Sequence, residues 1–141
     1  MTRDGSITWE KTYPGPNTDA AYSLTRTSDG NYVLGGIYQQ YPGGNYRFQA
    51  MEVSDTGTIT WEKIYGNTSE QGYVIRETRD GGFVMTGYRE STGGWILKLN
   101  GSGSPSWGRT ISGSGQLNDV IETDDGGFLG AGRTSAYGAG S

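Results

Sequence analysis

The chain has 141 residues, the size of one ordinary domain, and its 15 acidic and 11 basic residues give a formal net charge of −4. The basic residues are scattered singly, which argues against nucleic acid as a partner, and no apolar run is long enough to span a membrane. Cysteine and histidine are both absent. Their absence excludes disulfides, thiolate or imidazole metal ligands, and catalysis by Ser-His or Cys-His pairs.

Turn-forming and aromatic residues together set the expected fold class. With 26 Gly, 4 Pro and an apolar fraction of 32%, the chain is richer in turns and poorer in core residues than an ordinary globular domain. Its aromatic content of 12% and charged content of 18% argue against disorder, because disordered chains are poor in aromatics and usually more highly charged. We therefore expect a single folded domain over residues 1–141.

The first predicted unit begins with ITWEKTY at 7–13 and continues through SLTRTSDGNYVLGG at 23–36 to FQAMEVS at 48–54. These short segments are rich in Thr, Val, Ile, Tyr and Phe and are bounded by Gly, Asp and Asn, which is typical of β-strands. The segment YQQYPGGNY at 38–46 is longer than its counterpart in the next unit. An insertion confined to one place indicates a surface loop.

The same pattern returns twice further along the chain. The second unit contains ITWEKIYG at 59–66, VIRETRDGGFVMTG at 74–87 and WILKLN at 95–100, and the third contains PSWGRTISG at 105–113 and VIETDDGGFLGAG at 120–132. The tryptophans that open the units stand 52 and 46 residues apart. Three sets of equivalent residues mark the repeat: Trp9, Trp61 and Trp107; Asp29, Asp80 and Asp125; and Gly36, Gly87 and Gly132.

Four short strands in a unit of this length are the signature of a β-propeller blade. In each unit, Asp-Gly followed by Gly or Asn and an aromatic predicts a tight hairpin between the second and third strands. The predicted fold is all-β, with three tandem four-stranded antiparallel repeats at about 5–56, 57–102 and 103–141. The third repeat lacks its last strand, because residues 134–141 are too small and Gly-rich to form a good one.

The repeats resemble those of secreted bacterial and archaeal proteins that look like β-propellers and whose units read W-x-K-x-Y-G and then T-x-D-G-G-F/Y-x-x-x-G. The segment TGTITW at 56–61 is also similar to the tryptophan-docking motif of quinoprotein propellers, in which the Trp packs against the next blade. The upstream acidic position of that motif holds Val53 here, so the resemblance implies no cofactor. It implies an inter-blade packing role for Trp9, Trp61 and Trp107.

Three blades are too few to close the usual ring of four to eight, and a unit that lacks a strand leaves a sheet edge unpaired. We therefore expect either a piece of a longer chain or head-to-tail assembly of copies into a ring or filament, with a strand supplied by a neighbour. The leading hypothesis for function is a non-enzymatic extracellular or cell-surface module with a structural, self-assembling role. Any export signal would lie outside this sequence.

A second hypothesis is a lectin-like propeller that binds carbohydrate. Aromatic side chains in or near the loops after the third strands could stack on sugar rings, or could simply cover blade edges and seams. These residues are Tyr38, Tyr41, Tyr46, Tyr88 and Trp95, together with Tyr137. Two N-glycosylation sequons, which begin at Asn67 and Asn100, also fall in predicted turns.

The sequence offers little for catalysis. The Asp-Gly turns lack the spaced acids of a calcium loop, and TRDGSITW at 2–9 is similar to the Asp-box of sialidases, which is a structural turn. Glu77 and Glu122 occupy equivalent positions, as paired carboxylates of a glycoside hydrolase would, but the first unit has Arg26 there. We expect no enzyme activity, metal or cofactor in this chain. The third hypothesis is a segment of a larger propeller enzyme whose active site lies elsewhere.

Overall fold

The computed structural model describes residues 1–15, 17–67, 69–90, 92–111, 113 and 115–134. The described residues contain no helix, and hence none that could cross a membrane. They form ten β-strands: β1 Ala20–Arg26, β2 Tyr32–Gln39, β3 Tyr46–Val53, β4 Ile59–Tyr65, β5 Glu70–Glu77, β6 Phe83–Arg89, β7 Gly93–Leu99, β8 Pro105–Ile111, β9 Gln116–Glu122 and β10 Phe128–Arg133.

The strands form three sheets, in each of which strands that are consecutive along the chain pair with one another. The first sheet has the order β1-β2-β3-β4, the second has the order β5-β6-β7-β8, and the third pairs β9 with β10. Every pairing is antiparallel. The prediction of an all-β chain built from repeated antiparallel units is therefore confirmed.

The sheets are offset by one strand from the sequence repeats. Strand β4 carries Trp61, which opens the second repeat, but it pairs with β3 of the first sheet, where Trp61 lies opposite Glu52. The Asp-Gly turns consequently join the first and second strands of each sheet, and not the second and third. A repeated sequence fixes the period but not its phase, because each strand of a meander can close one sheet or open the next. The strand predicted to be missing falls at 134–141, of which only Thr134 is described.

A five-residue turn with a threonine and an aspartate is used in all three sheets. In the first sheet, the amide of Thr27 donates to the carbonyl of Asn31 at 2.9 Å, and the Thr27 hydroxyl donates to the Asp29 carboxylate at 2.5 Å. Gly30 has a φ of 97°, a conformation that favours glycine. The same turn recurs at 78–82 and 123–127, and related backbone hydrogen bonds close the turns at 54–58 and 100–104. Alternate turns of an antiparallel meander lie at the same end of the sheet. These turns therefore line one end of each sheet, which we call the turn rim.

The recurring glycines Gly36, Gly87 and Gly132 lie where two backbones come close together. A Cβ at any of the three would lie 1.9 Å from a carbonyl oxygen of the paired strand. In each case the partner strand has a β-bulge beside this point, between Ala21 and Ser23 in the first sheet. The extra residue of a bulge pushes the local backbone out of register. Only glycine fits at these positions.

Candidate functional site

The three sheets stack face to face in the same manner twice. We call the face of a sheet that is directed towards the next sheet its front face, and the opposite face its back face. Val33 on the front face of the first sheet belongs to a buried cluster with Phe83 and Met85 on the back face of the second. Val84 on the front face of the second sheet belongs to a second cluster with Val120 of the third. The two hydrophobic clusters formed by the described residues are thus two copies of one junction.

The tryptophans that open the sequence repeats pack across these junctions. The ring of Trp61 lies 5.9 Å from the ring of Phe83 in the second sheet, and the ring of Trp107 lies 5.6 Å from that of Phe128 in the third. Both pairs join an outer strand to the next sheet. Since an aromatic pair is stabilising at these separations, each Trp stabilises the packing of one sheet against the next.

The segment 7–13 occupies an equivalent place beside the first sheet, although it does not form a strand. The indole Nε1 of Trp9 donates to the carbonyl of Asp55 at 3.0 Å, and the Tyr13 hydroxyl donates to the carbonyl of Gly57 at 2.8 Å. In the same way, the hydroxyl of Tyr65 in β4 donates to the carbonyl of Gly103 at 2.7 Å. The N-terminal segment therefore docks on the turn rim as β4 does one repeat later.

The first strand of each sheet lies innermost, which the sequence does not determine. Between β1 and β5, the amide of Ile75 donates to Ser23 Oγ at 3.1 Å. Between β5 and β9, Arg76 forms an ion pair with Asp119 at 2.9 Å. These contacts join one first strand to the next, so β1, β5 and β9 approach one another while the later strands of each sheet lie further out.

A glutamate at the end of an inner strand reaches back across each junction. The carboxylate of Glu77 accepts hydrogen bonds from the amide and the hydroxyl of Ser28, at 2.9 and 2.8 Å. One repeat later, the carboxylate of Glu122 accepts from the amide of Arg79 at 2.8 Å. Ser28 and Arg79 are equivalent residues of the repeat, as are Glu77 and Glu122. Each sheet therefore caps the turn of the sheet before it.

The two end faces of the stack leave exposed the positions that the internal junctions bury. Leu24, on the back face of the first sheet, is 62% exposed, whereas Ile75 at the same repeat position of the second sheet is buried. Leu129, on the front face of the third sheet, is 61% exposed, whereas Val33 and Val84 at its repeat position are buried. These two apolar end faces are the candidate functional site of the described chain.

A cavity of about 530 Å³ opens on the back face of the first sheet. It lies between the segment around Tyr13 and that face, and its apolar lining includes Leu34, Met51 and Ile64. A concave apolar surface of this size is an ordinary place for a partner side chain or a ligand to enter. It belongs to the same end face as Leu24.

Three of the predicted glycan-binding aromatics line three separate cavities. Tyr38 lines the cavity on the first sheet, Trp95 lines one of about 600 Å³ with Tyr65, and Tyr88 lines one of about 640 Å³ with Tyr73. Tyr46 is half-buried where β3 begins, and Tyr41 is 61% exposed in the preceding loop. Glycan binding by these residues stays a prediction, and Tyr137 lies outside the described residues.

Trp95 in particular is occupied by its own chain. It is 5% exposed, its ring lies 4.8 Å from that of Phe48, and the guanidinium carbon of Arg89 lies 3.9 Å from its ring centroid. Arg89 is held in turn by the fully buried Glu70, at 3.2 Å. Neither face of the Trp95 indole is open to a sugar here.

The repeated aspartates stabilise the turns in which they lie by accepting hydrogen bonds. A hydrogen bond from Thr78, the neighbouring Lys98 and the amide of Gly82 together lower the pKa of Asp80 to about 2. Hydrogen bonds from the equivalent threonines likewise lower the pKa of Asp29 and of Asp125. No three carboxylates of the described residues gather into a group that could hold a metal ion.

The two sequons differ in what the structure describes of them. The side-chain oxygen of Asn100 accepts hydrogen bonds from the amides of Ser102 and Ser104, at 3.1 and 2.8 Å, and so closes its turn. Asn67 is exposed just after β4, but the following Thr68 lies outside the described residues. Whether either asparagine carries a glycan stays a prediction.

Comparison with known proteins assigns no function. No family model matches the chain, and a search of curated proteins finds no match. The geometry of the two end faces is therefore the feature that points to a function. The sequence patterns do not single out Leu24, Leu129, Ser28 or Arg79, and they mark Asp124 only as an acid of an Asp-Gly turn. Aligning the repeats residue by residue would have exposed Leu24 and Leu129 as apolar positions of the two end units.

Proposed function

We propose that this chain is a non-enzymatic structural module that associates head-to-tail with further copies of itself. The front face of the third sheet in one copy packs against the back face of the first sheet in the next. The observation that carries the proposal is the repeat equivalence: the internal junctions bury the positions that Leu24 and Leu129 occupy at the ends. A heterologous contact of this kind gives a ring if the rotation closes and a filament if it does not.

The energetic reason is the burial of apolar surface. Fully burying a leucine side chain is worth about 1.5–3 kcal/mol, and Leu24 and Leu129 are both more than half exposed in the single copy. The cavity beside Tyr13 adds apolar lining to the same face. The resemblance to propeller-like secreted repeats supports the same use of stacked blades, and it makes an extracellular or cell-surface location part of the proposal.

The test is the solution mass of the chain, measured by light scattering across a dilution series. We expect a concentration-dependent mass above the 15.1 kDa of one copy. Leu24→Asp and Leu129→Asp should each lower that mass, because each places a charge in one of the two faces. Tyr41→Asp is the matched control, since Tyr41 is 61% exposed but lies in the β2–β3 loop, outside the strands that form the two faces.

Two results would contradict the proposal. One is a wild-type chain that stays at the mass of a single copy at every concentration. The other is a mass that Tyr41→Asp lowers as much as the two leucine variants do, because association would then not use the end faces. Circular dichroism of each variant establishes that the sheets are intact.

Carbohydrate binding is the second candidate, and one observation favours it. The cavity of about 640 Å³ near the inner strands combines aromatic, amide and guanidinium groups from Tyr73, Tyr88, Gln116 and Arg133, a mixture suited to stacking and hydrogen bonding with a sugar. A glycan array probed with the wild type and with Tyr88→Ala tests this candidate. Absence of signal, or signal that Tyr88→Ala leaves unchanged, would remove it.

A further inference from the structure

The hydrogen bonds across the two internal junctions place one pair of repeat positions opposite each other. Position 77 on the back side faces position 28 on the front side at the first junction, and position 122 faces position 79 at the second. If a third, intermolecular junction has the same geometry, the next pair is position 26 of one copy and position 124 of the copy before it. These positions hold Arg26 and Asp124.

At both internal junctions the contact at this pair joins a back-side carboxylate to the main-chain amide of the front-side residue, whereas at the ends the pair consists of two oppositely charged side chains. Inside the chain, the back-side residue is a glutamate, and its partner on the front side is Ser28 or Arg79. At the ends, the back-side residue is the exposed Arg26, and its counterpart on the front side is an aspartate. Arg26 and Asp124 lie about a hundred residues apart in the sequence, yet their opposite charges make them complementary.

The surroundings of Asp124 strengthen the attraction for a cation. Asp124 is paired with Arg79 at 3.0 Å, but Glu122 also contacts the Arg79 amide and Asp125 lies next in the chain. Asp124 and Asp125 therefore place two carboxylates near one guanidinium at the turn of the third sheet. The turn keeps a net negative charge that a second guanidinium would balance.

We propose that Arg26 of one copy pairs with Asp124 of the preceding copy, and that this contact sets the polarity and register of head-to-tail association. The inference rests on the proposed function, because it requires the two end faces to meet. Complementary charges at an interface contribute chiefly to specificity and to the rate of encounter. The apolar faces supply the affinity, and the Arg26–Asp124 pair selects the orientation in which a front face meets a back face.

The experiment is a charge reversal with exchange of partners. Arg26→Glu and Asp124→Arg should each weaken self-association by about fivefold or more at low ionic strength, because each places like charges in contact. An equimolar mixture of the two variants should recover the wild-type mass, since alternating copies then present Asp124 to Arg26 at one junction and the introduced Arg to the introduced Glu at the next. Raising the salt concentration should reduce both effects.

Arg109→Glu and Glu90→Arg, two charge reversals at exposed residues outside the proposed contact, form the control pair. Neither variant should change the mass, alone or mixed. Because Asp124→Arg also removes the ion pair with Arg79, Asp124→Asn serves as a milder variant, and thermal melting checks that both fold. Asp124→Asn should weaken association less than the reversal does.

The outcomes separate this inference from the proposed function. A wild-type chain that never associates contradicts the proposed function itself. Association that Arg26→Glu and Asp124→Arg leave at the wild-type level refutes the charge pair but keeps the apolar faces. Variants that are each weakened but do not recover on mixing show that positions 26 and 124 do not face each other.

Discussion

At the scale of single residues, the recurring glycines are the strictest positions of the repeat. A Cβ at Gly87 would lie 1.9 Å from the carbonyl oxygen of Gln71 and 2.5 Å from the Phe48 ring. Gly87→Ala should therefore lower the free energy of unfolding by about 1–3 kcal/mol or more, because the backbone of β5 must move. Chemical denaturation measures the change. In Gly130→Ala, the matched control, the nearest neighbour of the new methyl is the flexible Leu117 side chain at 3.3 Å, and the Asp119 carbonyl oxygen lies at an ordinary contact distance of 3.7 Å. A loss as large as that of Gly87→Ala would contradict the steric explanation.

Asp80 makes the stability of the second sheet depend on pH. Its pKa is about 2 in the folded chain, against 3.8 for a free aspartate, because Thr78, Lys98 and Gly82 stabilise the carboxylate. A depressed folded-state pKa contributes stability above pH 3.8 that is lost as the pH falls towards 2. Asp80→Asn should thus melt below the wild type at pH 7, and the gap should narrow between pH 4 and pH 2. Melting curves at several pH values with a constant gap would show that the carboxylate charge is not responsible.

At the scale of elements, Trp61 fastens β4 to the second sheet. Trp61→Ala removes the contact with Phe83 and should cost about 3–5 kcal/mol of unfolding free energy, towards the lower end because the indole is only partly buried. Trp9 provides the comparison, since it is 46% exposed and its segment forms no strand. Trp9→Ala should cost clearly less in the same denaturation experiment. Equal losses would mean that the packing of residues 7–13 against the first sheet is as stabilising as the packing of β4 against the second.

The positions of the turns and strands could be predicted from the sequence, but the way the strands group into sheets could not. The turns at Asp29, Asp80 and Asp125 and the strands beside them could be predicted because turn chemistry and strand composition are local. The phase of the repeat could not, since whether the Trp61 strand closes one sheet or opens the next depends on pairing in space. The Glu77–Ser28 and Glu122–Arg79 contacts join residues more than forty positions apart, so repeat alignment identifies the equivalent positions but not the partners that face each other.

At the scale of the whole molecule, the direction of stacking makes a prediction about assembly size. A copy of Leu24→Asp keeps an intact front face, and a copy of Leu129→Asp keeps an intact back face. If copies join head-to-tail, an equimolar mixture of the two variants should form one good junction and then stop, because the remaining faces both carry the introduced aspartate. Light scattering should find a mass near twice 15.1 kDa in the mixture and mostly single copies in each variant alone. If like faces associated instead, each variant alone would still pair through its intact face, and mixing would add nothing, so the same measurement distinguishes a polar stack from a symmetric dimer.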